Sequence, residues 1–230
     1  MNIALIGYGK MGHEIEKIAL ERGHCITSII DTKNQRDFNS DNFIHYTDVA
    51  IEFTCPKSAF NNYMKCFERN IPVVTGTTGW LQNIWKIKKE CLENKRTFFY
   101  ASNYSIGVNL FFAVNKFFAK LMNTFNQYDV LVEEVHHIQK LDTPSGTAIT
   151  LAEGIVKNIE RKSFSNLPIR SKRIGKFPGI HTVIYESESD IITIRHNAKN
   201  RRGFAFGAIL AAEYTQKKTG FLSMDDLLKL

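Results

Sequence analysis

Between Glu134 and Ala148 the chain gathers two adjacent imidazoles (His136 and His137), one ammonium (Lys140) and the string Ser145-Gly146-Thr147. An imidazole with an ordinary pKa near ~6.5 serves as acid or base around neutral pH. An ammonium with an ordinary pKa near ~10.4 is cationic, and it either binds a carboxylate or assists a proton transfer. Pro144 biases Thr143 towards an extended backbone and Ser145 is a good helix N-cap, which puts the amides of Gly146 and Thr147 in a first helical turn without intrahelical partners. Such a turn attracts a carboxylate or phosphate. Taken singly, these residues have bland readings as a packed histidine, a surface lysine and an ordinary cap. Together they point to proton transfer on an anionic substrate.

A second constellation opens the chain. The apolar strand Asn2–Ile6 runs into Gly7-Tyr8-Gly9-Lys10-Met11-Gly12, and a helical pattern in Ile15, Ile18 and Ala19 follows and stops at Gly23. Gly7 permits a tight turn, Gly9 lets backbone approach a pyrophosphate, and Gly12 lets helix and strand pack closely. The next strand, Cys25–Ile30, ends in Asp31-Thr32, about 20 residues on, where an acid that binds the adenosine ribose is expected. That acid favours NADH and opposes the 2′-phosphate of NADPH, while Lys33 pulls the other way.

The elements that position these groups follow from periodicity. Strands are predicted over 49–54, 72–75, 97–100 and 128–135, with helices over 58–69, 80–94, 106–125 and from 148 to about 161. Thr32 to Asn42 is polar and aperiodic, so the crossover expected there reduces to a loop. Residues 180–186 and 190–196 alternate as paired strands, and a last helix is predicted from about Ala208 to Gln216. Ligands of open parallel sheets sit at the carboxyl ends of the strands, which here carry Gly7, Asp31, Gly76-Thr77-Thr78 and Ala101-Ser102-Asn103-Tyr104. The fold class is therefore α/β, a Rossmann-type parallel sheet joined to a second α+β domain whose mixed sheet has an open face.

With 230 residues, 43% hydrophobic and 23% charged, the composition is that of an ordinary globular chain. The net charge of +7 invites a nucleic-acid reading. The basic residues are scattered and no nucleic-acid module is visible, so a phosphate-bearing cofactor and an anionic substrate are the better partners. Cys25, Cys55, Cys66 and Cys91 have neither a disulfide nor a metal-binding pattern and read as reduced thiols of a cytoplasmic protein. Polar residues interrupt Ile106–Phe125, the most apolar stretch, so no membrane span is expected.

The string Glu-x-His-His-x-x-Lys-x-Asp-x-Pro-Ser-Gly-Thr-Ala over 134–148 resembles the signature of the 4-hydroxy-tetrahydrodipicolinate reductases. The resemblance extends from Gly7 to the last helix. It implies NAD(P)H-dependent reduction of a cyclic unsaturated dicarboxylate, with NADH and NADPH as cofactors and a homotetramer formed through the second domain. It further implies His136 and Lys140 as competing candidates for the proton donor. His137, Lys140, Ser145, Gly146 and Thr147 match the substrate-binding positions. Gly76-Thr77-Thr78-Gly79 resembles the loop beside the nicotinamide, and Ala101–Tyr104 resembles the segment that hands over to the substrate domain. The implied organisation is a cofactor domain over 1–104, a substrate and tetramerisation domain over 105–203, and a helical segment over 204–230 that returns to the cofactor domain. Glu52 stands where these reductases usually have Asp. The rival readings are a nicotinamide-dependent dehydrogenase of amino or hydroxy acids and a cofactor-sensing or nucleic-acid-binding protein.

Overall fold

Short apolar runs that alternate with amphipathic helices give a parallel sheet, because each crossover returns the chain to the same edge. In the computed structural model, which describes residues 1–230, these are β1 (Asn2–Ile6), α1 (Lys10–Glu21), β2 (Cys25–Ile30), α2 (Asp41–Tyr46), β3 (Val49–Glu52), α3 (Pro56–Glu68), β4 (Val73–Thr75), α4 (Ile84–Glu93) and β5 (Thr97–Tyr100). Then come α5 (Ile106–Met122), β6 (Asp129–His136), α6 (Gly146–Val156), β7 (Ile169–Arg173), β8 (Gly179–Glu186) and β9 (Ile191–Ala198). The chain ends with α7 (Arg202–Thr215), β10 (Gly220–Leu222) and α8 (Met224–Leu228). Two units result, Met1–Ser105 with Arg202–Leu230, and Ile106–Arg201.

The first unit is a six-stranded sheet in the order β10-β5-β4-β3-β1-β2 with every pair parallel. Its core is aromatic. Tyr63, Trp80 and Phe98 are fully buried and meet edge-on, with ring centroids 4.9 to 5.5 Å apart. The crossover after Asp31 is not the loop that its polarity suggests. It carries a 3-10 turn over Gln35–Asn39 and the short helix α2, which bury Phe38 and Phe43 against each other with centroids 5.2 Å apart. Two aromatic anchors hold elements too short to register as a period.

The return segment also departs from expectation. Helix α7 begins at Arg202, earlier than Ala208, and Arg202 pairs with Glu21 on α1. Gly207, inside this helix, is where it presses on Tyr104: a Cβ there would meet the Tyr104 carbonyl at 1.8 Å. After α7 the chain is not purely helical, since β10 extends the sheet beside β5.

The second unit is a four-stranded mixed sheet in the order β7-β6-β8-β9, in which β6 and β7 are parallel and the other pairs antiparallel. Strand β7 was not foreseen, because Arg170, Lys172 and Arg173 mask its alternation. Side chains on one face of β6 and β8 pack with α5 and α6 in a cluster that includes Val130, Val132, Leu151, Ala152, Val183 and Tyr185. Opposed residues across an antiparallel pair share a face. Val130 opposes Tyr185 and Val132 opposes Val183, so the next pair along, Glu134 and His181, also points into the covered face.

Candidate functional site

In the first unit, the glycine turn behaves as its spacing demands. Gly7 has φ +89°, and a Cβ there would lie 2.2 Å from the Phe53 carbonyl oxygen; one on Gly12 would lie 2.6 Å from that of Gly7. Gly9 is the reverse case, exposed, with nothing within 4 Å of an added Cβ, so its backbone faces open space. Gly7, Tyr8, Gly9, Asp31 and Thr32 line one cleft of about 450 Å³. Gln35, Phe53, Thr54 and Ser58 also line it, and sequence reasoning passed them over. Asp31 is held ready: its amide donates to Asn34 Oδ1 at 2.7 Å, and its Oδ1 accepts the Thr32 amide at 2.7 Å. Lys10 is exposed and Met11 half-buried at the start of α1.

The residues after β4 and β5 do not line that cleft, and they divide between wall and surface. Thr77 is buried and its hydroxyl accepts the Thr54 amide at 2.9 Å, while the Tyr104 hydroxyl donates to the Thr75 carbonyl at 2.7 Å. Ala101 is buried, Gly76 and Asn103 are half-buried, and Thr78 and Ser102 are exposed. Glu52 is fully buried beneath these loops and accepts hydrogen bonds from Thr54 and, at 2.6 Å, from Thr75. It ties the ends of β3 and β4 together, which is a structural task.

In the second unit, His136 is the last residue of β6, and the loop 137–145 runs from it to α6. Lys140 is partly exposed and its Nζ lies 2.7 Å from Asp142 Oδ1. Ser145 is the N-cap that sequence predicts, its hydroxyl accepting the Ala148 amide at 3.2 Å. An added Cβ on Gly146 would meet nothing within 4 Å, so the turn opens outward. His137 is half-buried and donates its amide to the Phe177 carbonyl at 3.0 Å.

Behind this loop lies a network that sequence reasoning missed. Glu134, His136, Ser145 and His181 are all at most 5% exposed. Glu134 Oε1 accepts from Arg173 at 2.8 Å and from the Ser145 amide at 3.1 Å, while Oε2 is 3.5 Å from His136 Nε2 and 3.6 Å from His181 Nε2. Burial alone would push the Glu134 carboxyl up, but hydrogen bonds from His136, His181, Ser145 and Arg173 outweigh burial and hold it below the ordinary carboxylate range. It is ionised, and Arg173 neutralises it. Removing one partner of such a buried pair costs about 3–5 kcal/mol.

The tautomers follow from the partners. His136 Nδ1 faces the Pro178 carbonyl at 3.1 Å, and a carbonyl only accepts, so Nδ1 carries a proton. The two Nε2 atoms are 3.2 Å apart and need one proton between them. His181 Nδ1 is buried without a partner. Burial lowers the His181 pKa below 6.5 against the pull of Glu134, with His136 and Lys140 lowering it further. A Cβ on Gly179 would lie 2.9 Å from His136 Cε1, so this glycine makes room for the ring. The donor atoms of Glu134, His136 and His181 lie within 4.8 Å of one another, a spacing a metal ion can span. The Arg173 guanidinium already supplies the positive charge that the carboxylate requires. The signal for His181 and Arg173 is strand register, since His181 opposes Glu134 and Arg173 pairs with His136.

Two family models together span most of the chain. Residues 1–104 match the family model described as dihydrodipicolinate reductase, N-terminus, and residues 107–228 match dihydrodipicolinate reductase, C-terminus. A 4-hydroxy-tetrahydrodipicolinate reductase of Christiangramia forsetii is 47% identical over 99% of this chain and 98% of its own. One from Thermosipho africanus is 32% identical over 100% and 98%. The structure of dipicolinate-bound dihydrodipicolinate reductase from Paenisporosarcina sp. TG-14 superposes with a TM-score of 0.77 at 24% identity, covering 97% of each chain. An amine dehydrogenase from Mycobacterium smegmatis, with a TM-score of 0.61 at 10% identity over 98% of this chain and 95% of its own, shares the fold alone.

Proposed function

The chain belongs to the dihydrodipicolinate reductase family, and on that premise we infer that it reduces 4-hydroxy-tetrahydrodipicolinate to tetrahydrodipicolinate with NAD(P)H, a step of lysine and diaminopimelate biosynthesis. The observation that carries this reading is the loop 137–145: a partly exposed lysine and an outward-opening helix N-terminus, both braced from behind by a buried, neutralised carboxylate. A small dicarboxylate needs two cationic or amide-rich contacts. Lys140 and the Gly146–Thr147 turn provide them, with His137 and Ser145 beside them.

Bound NADH or NADPH supplies the hydride, and the cleft at Gly7, Gly9, Asp31 and Thr32 fits its adenosine and pyrophosphate parts because the Gly9 backbone is open and the Asp31 carboxylate is fixed beside it. Tyr8, Lys10, Met11 and Gly12 complete that turn. Gly76, Thr77, Thr78, Ala101, Ser102, Asn103 and Tyr104 form the nicotinamide end in this reading, with Thr77 and Tyr104 as its wall. Asp31 favours NADH, and Lys33, on an exposed turn, moderates the choice without reversing it, because exposed charge pairs are worth only ~0–1 kcal/mol. Both cofactors are used and NADH is preferred.

Lys140 delivers the proton. Both ring nitrogens of His136 face protein partners and the residue is 5% exposed, whereas the Lys140 side chain is partly exposed. His136 then acts from within the sheet face by completing the support of the loop. The four free cysteines accord with a cytoplasmic enzyme, and the half-exposed β9 accords with a homotetramer built on this sheet. No helix is long and apolar enough to cross a membrane.

The test is NAD(P)H absorbance with the substrate generated in situ. NAD(P)H consumption is expected with this substrate, and none with 2-oxo acids, with or without ammonia. The opposite pattern would favour a dehydrogenase instead.

A further inference from the structure

The loop that carries Lys140 is fastened to one carboxylate at two points, Ser145 and Asp142. At one end, the Ser145 amide donates to Glu134 Oε1 at 3.1 Å and Oε2 at 3.2 Å, which sets where α6 and its open turn begin. Three residues earlier, Arg173 Nη2 bridges Glu134 Oε1 at 2.8 Å and the Asp142 carbonyl at 2.6 Å, and the Asp142 side chain holds Lys140 Nζ at 2.7 Å. The imidazoles of His136 and His181 close the remaining side of Oε2, and His181 Nε2 also lies 3.1 Å from the Ser145 hydroxyl. An ionised carboxylate has about four lone-pair sites and no donor, which suits a ring of donors. A glutamine would offer a single oxygen and turn an NH₂ group towards a guanidinium or an imidazole.

We propose that Glu134 is the positioning residue of the substrate site, setting Lys140 through Arg173 and Asp142 and the anion turn through Ser145, with His181 locking the carboxylate in place. The proposal rests on reading Lys140 and the Gly146–Thr147 turn as the substrate-binding groups. Glu134 touches no substrate: it is 1% exposed and lies behind the loop. Its charge is compensated locally, so its loss frees Arg173, Asp142 and Ser145 together. The covered face gains nothing apolar from it, since the hydrophobic cluster ends at the preceding pair, Val132 and Val183.

Isothermal titration of pyridine-2,6-dicarboxylate and, separately, of NADH tests this on wild-type protein and on Glu134→Gln, Arg173→Met and Arg173→Lys. The dicarboxylate should bind at least about 10-fold more weakly to Glu134→Gln and Arg173→Met, with NADH affinity within about 3-fold of wild type. Arg173→Lys, which keeps the charge, should recover most of the loss. If Glu134→Gln fails to fold by circular dichroism, the two Arg173 variants decide. Unchanged dicarboxylate affinity in the folded variants, or equal weakening of both ligands, overturns the proposal while leaving the substrate site where it is. Wild-type protein that does not bind the dicarboxylate overturns both.

Discussion

In the first unit, where we propose the cofactor binds, the cleft combines open main chain at Gly9 with the fixed Asp31 carboxylate, and Gly7 and Gly12 make the turn possible. In the second unit, the turn we propose for the substrate anion, Ser145-Gly146 at a helix N-terminus, is braced from behind by Glu134, Arg173 and two histidines. A backbone site tolerates change in its neighbours so long as the glycines stay. A site braced by buried charges transmits every change in them to its surface. Substitutions in the two units should therefore differ in kind.

The largest expected effect separates the chemistry from the cofactor. Lys140→Ala should lower turnover by roughly 10²-fold or more, the usual scale for a positioned proton donor, with NADH affinity near wild type. His136→Gln should lower it comparably by loosening the loop. Comparable loss of NADH affinity in either variant would erase the distinction between the units.

The same contrast explains what was legible in the sequence. The glycine turn, the ends of the strands and the N-cap are local signals, and Gly7, Asp31 and Ser145 stand where spacing places them. The brace is not local. Glu134, Arg173 and His181 meet through the register of β6 with β7 and β8, which pattern alone does not supply, and Arg173 lies on a strand whose basic residues hide its alternation. The crossover after Asp31 was missed for a different reason: two buried aromatics, Phe38 and Phe43, hold it without a period. The last helix starts before Ala208, at Arg202, and runs through Gly207, which packs closely on Tyr104.

A smaller effect sharpens the cofactor side. NADH should exceed NADPH by roughly 3–30-fold in kcat/KM, or about 0.6–2 kcal/mol. Asp31→Ala should erode that preference and Lys33→Ala should increase it, with dicarboxylate binding unmoved in both. Steady-state kinetics with the two cofactors checks this, and a wild-type preference for NADPH would contradict it.

The smallest effect is on pH dependence and should begin in the braced unit. Glu134 and His181 both have folded pKa values below their unfolded values of 4.5 and 6.5. In each case the unfolded chain takes up the proton first, so stability falls as pH drops, beginning near 6.5 through His181 and continuing below 4.5 through Glu134. Hydrogen exchange between pH 8 and pH 4, corrected for intrinsic rates, should show β6 and β8 losing protection before β1 and β3. Equal loss in both sheets would contradict the assignment of the acid-sensitive groups.

Chemical rescue tests most directly the claim that Lys140, and not the buried His136, meets the substrate. Small primary amines added to Lys140→Ala should restore part of the turnover in proportion to their concentration, because the proton donor stands at an accessible position. Imidazole added to His136→Gln should restore none, since that ring is enclosed by Glu134, His181 and Pro178. Rescue by imidazole, with amines without effect on Lys140→Ala, would place the proton on His136 and contradict the account.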